Sequence, residues 1–109
     1  MTNYPNYQIN MVKGDTLSFG LEFEGLGQNI DSAYFTVKKN PLDEEPLFQK
    51  SLLNGILKKE DFVYTVRIAP EDTENLDAGQ YAFDLQIGVN EDIFTIMLGI
   101  LILSQDVTF

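Results

Sequence analysis

The densest set of potentially reactive side chains is Glu71-Asp72-Thr73-Glu74-Asn75-Leu76-Asp77, with four carboxylates in seven residues. Carboxylate oxygens at close spacing are ligands for calcium. The segment lacks the D-x-D-x-D-G run of the ~12-residue calcium loop, so it reads as a solvated acidic turn with one helical cap. Asp43-Glu44-Glu45 reads as a solvated loop. Two carboxylates facing each other across a cleft hydrolyse glycosides, but no pair in this chain is singled out by its surroundings. Lys38-Lys39 and Lys58-Lys59 are isolated dipeptides in an acidic field, too sparse for a phosphate-binding patch. The chain has no His and no Cys. That removes zinc sites, Ser–His and Cys–His catalysis, and disulfides. No Gly-rich phosphate loop, nucleophile elbow or metal motif is present. The expectation is a protein that is not an enzyme and carries no cofactor or metal.

One motif does have a mechanism. Asp77-Ala78-Gly79-Gln80-Tyr81 has the form D-x-G-x-Y ahead of an alternating segment. A tyrosine in this position sends its hydroxyl back to upstream backbone and pins the crossing between two sheets, which is the tyrosine corner of immunoglobulin-type sandwiches. Asp77 would satisfy donors in the bend, and Gly79 permits an unusual backbone conformation. Two residues on, where antibody domains carry a Cys, stands Phe83.

The elements that must position these residues are strands. In Thr16 to Glu24 the large apolar residues Leu17, Phe19, Leu21 and Phe23 recur with a period of two, as in a half-buried strand. Lys13-Gly14-Asp15 supplies a turn, which predicts a short strand over Tyr7 to Val12. Ser32 to Lys39 is rich in β-branched and aromatic residues and ends at Asn40-Pro41. Leu47 to Leu52 is extended, Asn54-Gly55 is a tight-turn pair, and Phe62 to Ile68 alternates with Phe62, Tyr64, Val66 and Ile68 on one face. Pro70 followed by acids suits one short helical turn near residues 70–76. Gln80 to Val89 and Ile93 to Leu103 form a hairpin about Asn90-Glu91-Asp92. The sum is a single all-β domain over residues 1–109, an immunoglobulin-like antiparallel β-sandwich of about seven strands.

The formal charge is −10, from 17 acids and 7 bases in 109 residues. Such a surface repels nucleic-acid phosphates and anionic lipid heads, so neither is expected as a partner. The amino terminus has no basic start and no apolar core, so no signal peptide is expected. The most apolar run, Ile93 to Leu103, is about half the ~20 residues of a membrane helix.

That run is also anomalous as a strand. Phe94, Ile96, Leu98, Ile100 and Ile102 share one phase, while Ile93, Met97, Leu101 and Leu103 occupy the other. Apolar residues on both sides of a strand mean that both sides are covered. The cover is either an internal segment, such as the amino terminus, or another protein. Ile93, Met97, Leu101 and Leu103 are the candidate interface, for a second copy or a different partner. The rival reading is a carbohydrate-binding sandwich that stacks sugar rings on exposed Tyr4, Tyr7 and Tyr34, although Trp, the usual platform, is absent.

Taken together, KGDTLSFGLEF, AYFTVKKNP, LFQKSL, YTVRIAPEDTENLDAGQYAFDLQI and GILILSQDVT resemble small immunoglobulin-like domains of tailed-phage and prophage virion proteins. The type is the amino-terminal domain of baseplate upper proteins and related tail or head accessory proteins. The resemblance spans about Val12 to Thr108. It implies a non-enzymatic assembly or adaptor module of the tail, baseplate or virion surface, partnered by other virion proteins. It also implies synthesis in the cytoplasm of a host bacterium and residence in the virion. The larger members continue into fibre or receptor-binding regions, whereas this sequence ends at Phe109, which favours an adaptor or decorating role over direct receptor binding.

Overall fold

The computed structural model describes residues 6–23 and 30–105. In chain order they form β1 (Asn6–Val12), β2 (Leu17–Glu22), β3 (Ser32–Lys38), β4 (Phe48–Leu52), β5 (Gly55–Glu60), β6 (Val63–Ile68), α1 (Pro70–Thr73), β7 (Gly79–Val89) and β8 (Asp92–Ser104). The hydrogen-bonded order is β1-β8-β7-β3-β4-β5-β6-β2. The chain steps from one layer of the sandwich to the other between β4 and β5, so β1-β8-β7-β3-β4 faces β5-β6-β2. Aromatic rings cross the gap, with Phe19 of β2 edge-on to Phe35 of β3 at 5.6 Å between centroids. Such pairs add to the area that the rings bury.

Alternation builds this core directly. Ala33, Phe35 and Val37 of β3, Tyr64, Val66 and Ile68 of β6, and Tyr81, Phe83, Leu85 and Ile87 of β7 are all buried. Leu17, Phe19, Leu21 and Phe23 pack against them. Phe62 departs from its expected phase, because it has φ 65° and lies in the turn before β6. Phe83 sits in the core against Phe35, 5.3 Å between centroids, so the place of an inter-sheet disulfide is filled by aromatic packing.

Three features differ from the expectation. Asn54-Gly55 does not reverse the chain. Leu53 (φ 67°) and Gly55 (φ 97°) make a sidestep, after which β5 pairs parallel to β4 at Ser51–Gly55 and Leu52–Ile56. The sandwich is also not purely antiparallel at its edge, where β1 runs parallel to β8 from Asn6–Leu98 to Val12–Ser104. The amino-terminal segment thus bonds along the edge of β8 rather than covering its face. Gly99 makes this approach feasible, since a Cβ there would collide with the Tyr7 carbonyl oxygen and press on the Phe83 ring.

The third difference is a β-bulge. Leu85 pairs with Met97 but Gln86 pairs with Thr95, which leaves Ile96 as an extra residue on β8. A bulge shifts the phase of everything beyond it. Phe94, opposite Ile87, therefore shares the side of Met97, Leu101 and Leu103, and Ile93 moves to the side of Leu98, Ile100 and Ile102. The hairpin closes through Asn90 (φ 52°) and Glu91 (φ 74°), both left-handed, which matches the twist of the strands it joins.

Candidate functional site

Within the acidic segment, Asp72 and Thr73 are committed to structure. Asp72 accepts a 2.7 Å hydrogen bond from the backbone N–H of Ala69, closing the first turn of α1, and forms a 2.6 Å ion pair with Lys50. Thr73 is fully buried and its hydroxyl oxygen accepts from the Gly14 N–H at 2.9 Å. No group of three or more acidic side chains converges among the described residues.

At the tyrosine corner, the Tyr81 hydroxyl donates to the backbone carbonyl of Asp77 at 2.6 Å. It is thus the carbonyl of Asp77, not its carboxylate, that holds the ring. Gly79 has φ 148°, a value that disfavours a side chain. Burial raises the Tyr81 phenol above its ordinary value, helped by the negative charge of Asp77. Lys39 caps the corner with its ammonium 4.7 Å from the centre of the Tyr81 ring. The arrangement is architectural.

The candidate interface on β8 requires correction. Leu101 is 0% exposed and Leu103 2%, so both are core residues of the sandwich itself. Met97 packs against the same core, leaving Ile93 as the exposed member of that set at 63%. From Met97 to Leu103 the inner face of β8 is covered by the opposite layer, which removes the need for another protein there, while Phe94 on the same side is exposed. The apolar excess lies instead on the outer face, where Leu98, Ile100 and Ile102 are only partly covered.

Cross-strand pairing fixes their neighbours, because residues directly opposite share a face. Ile100 lies beside Ala82 of β7, which lies beside Lys38 of β3. Leu98 lies beside Asp84, which lies beside Thr36. In the next row, Gln86 stands between Thr95 and Tyr34, with a 3.4 Å hydrogen bond from Gln86 to Thr95. An open groove runs through the first two rows, lined by Thr36, Lys38, Ala82, Asp84, Leu98 and Ile100, with Pro41 at its end. Burial in this groove raises the Asp84 carboxyl above the usual range, and the charge of Lys38 partly offsets the effect. Lys38 and Asp84 are the only charged side chains on the outer face of β3, β7 and β8.

The aromatic row of a sugar platform is not assembled among the described residues. Tyr34 is on the outer face beside Gln86, whereas Tyr7 is opposite Gly99 on the core-side phase of β1. Tyr4 lies outside the described residues. Sequence reading passed over the partly covered cluster of Leu98, Ile100 and Asp84. The available signal was Asp84, which alternates out of a run of core residues in β7, whereas β8 is apolar in both phases and carries none.

No protein-family model matches the sequence, and no curated protein matches it. Among solved structures, the chain is similar to Tim-1, with a TM-score of 0.50, 12% identity, and coverage of 100% of this chain and 99% of that one. It also aligns to the extracellular domain of the voltage-gated sodium channel beta4 subunit, with a TM-score of 0.47, 13% identity and 98% coverage of both chains. With the strand order and the tyrosine corner, the likeness to Tim-1 gives the chain an immunoglobulin-like β-sandwich fold.

Proposed function

We propose that this chain is a non-enzymatic assembly module that acts through protein–protein contacts made by the outer face of β3, β7 and β8. The observation that carries this reading is the distribution of charge and apolar area. In a chain of net charge −10, this face holds one acid and one base around Leu98, Ile100 and Ile102. Depletion of charge around an apolar centre distinguishes an interface core from ordinary surface.

The setting we propose is the virion of a tailed phage or prophage, with the chain as an adaptor or decorating part of the tail, baseplate or capsid surface. The resemblance of the sequence to virion immunoglobulin-like domains supports this setting. So does the physical economy of a small sandwich with one modest contact face, because symmetric assemblies multiply weak contacts. The test is mass spectrometry of particles purified after induction of the source bacterium. The chain should sediment with intact particles, and Ile100→Lys should release it into the soluble fraction. A chain absent from particles contradicts the setting. A particle-bound chain indifferent to Ile100→Lys contradicts the face.

A further inference from the structure

Resting on that reading of the face, we infer that its occupant is a second copy of this chain, docked about a two-fold axis so that Lys38 of each copy meets Asp84 of the other. The first argument is reciprocity. Lys38 and Asp84 are diagonal neighbours, on adjacent strands and adjacent rows. They attract one another electrostatically without closing an ion pair. Asp84 is half-buried between Thr36 and Leu98, and its carboxylate makes no hydrogen bond to another described residue. A carboxylate in that position, drawn out of water and unpaired, is suited to a cation arriving from outside.

A two-fold axis lying in the interface, perpendicular to the line joining Lys38 and Asp84, exchanges their positions between the two copies. It places each ammonium over the opposite carboxylate and creates an alternating square of four charges. An isologous contact needs a patch complementary to itself. One cation and one anion side by side on an apolar floor satisfy that requirement, with Ile100, about equidistant from the two charges and so near the axis, meeting its own counterpart.

The second argument is exclusion of like charge. Two chains of charge −10 repel at long range, and an acidic face would forbid their approach. This face instead has its single acid balanced by its single base. Three strands about 5 Å apart and seven residues long give on the order of 350 Å² per copy. That is below the ~800 Å² per partner of a stable interface. The homotypic contact is therefore weak in solution and is strengthened by salt, which screens the net repulsion. A basic partner protein would show the opposite salt dependence.

The experiment is sedimentation equilibrium of the full chain over a range of concentration and salt, with Lys38→Asp, Asp84→Lys, the double variant and an equimolar mixture of the two single variants. Wild type should self-associate more strongly at higher salt. Each single variant should lose about tenfold or more in association, because two like-charged pairs now face each other. The mixture and the double variant should recover it. Recovery on mixing also shows that the single variants are folded. Should Asp84→Lys fail to fold, Asp84→Asn keeps the shape and must still weaken association. Wild-type association untouched by either single variant overturns the inference. A wild type that stays monomeric at every concentration and salt also overturns it. The particle-retention test of Ile100→Lys judges the contact face separately and is unaffected by either result.

Discussion

The Lys50 ammonium lies 2.6 Å from the Asp72 carboxylate, and the two side chains are 13% and 14% exposed. Lys50 occupies the inward phase of β4, between Phe48 and Leu52 and opposite Phe35. Its stem runs against Gly55, where a Cβ would meet the Lys50 Cδ at 2.5 Å. One ion pair therefore ties the sheet-crossing step at residues 53–55 to the helical turn α1, and through Thr73 to the turn at Gly14.

Replacing Lys50 with Met keeps the apolar stem and removes the cation, leaving Asp72 largely buried with only its backbone donor. The expected cost is about 1–3 kcal/mol. Urea unfolding of the variant against wild type measures it, and an unchanged midpoint contradicts this role for the pair.

Tyr81→Phe removes the hydroxyl that holds the Asp77 carbonyl and should cost about 0.5–1.5 kcal/mol in neutral solution. The folded-state Tyr81 phenol is raised, so the fold binds its proton more tightly than the unfolded chain does. Its contribution is thus fully present below the unfolded value near 10 and is lost as pH rises through the folded one. Thermal melts of wild type should fall more steeply above about pH 10 than those of Tyr81→Phe. Parallel pH profiles contradict the assignment.

Gly99→Ala puts a methyl group where the Tyr7 carbonyl oxygen of β1 crosses β8. The strand must move away, at a cost of about 1–3 kcal/mol. Hydrogen exchange should quicken in β1 while the amides of β6 stay protected at any denaturant level below the unfolding transition. Unchanged protection at Ile9 and Met11 contradicts the close parallel crossing.

Asp84→Asn should stabilise the dilute monomer near neutral pH. The Asp84 pKa is raised mainly by burial, so the protonated form suits the fold, and stability is lost as pH rises through the folded value. The difference between wild type and Asp84→Asn in urea unfolding should therefore grow from about pH 3 to about pH 7. A variant equal to wild type at both ends contradicts the desolvation of this carboxylate.

The strands with one wet face were legible because a period of two leaves a mark in the residues, as in Leu17-Phe19-Leu21-Phe23 and Phe83-Leu85-Ile87. The tyrosine corner was legible because its residues lie within five positions of each other. β5 left no such mark, since Ile56 is its only buried side chain and Leu57 to Glu60 are exposed. The burial of Met97, Leu101 and Leu103 was not legible because β8 is apolar in both phases, so local alternation cannot say which phase meets the core. That choice is made by pairing with β7 and by the bulge at Ile96, both of which depend on residues across the sheet. Lys50 was passed over although it stands on the apolar phase of its strand, a position that requires a carboxylate from elsewhere in the fold.

The most direct test of the central claim is a concentration series of amide chemical shifts in the isotope-labelled chain at elevated salt. Shifts that change with concentration should be confined to residues 34–38 of β3, 80–86 of β7 and 98–102 of β8. Shifts that are constant throughout, or that move at the acidic loops or at β2 and β6 instead, would contradict a contact face on the outer side of these three strands.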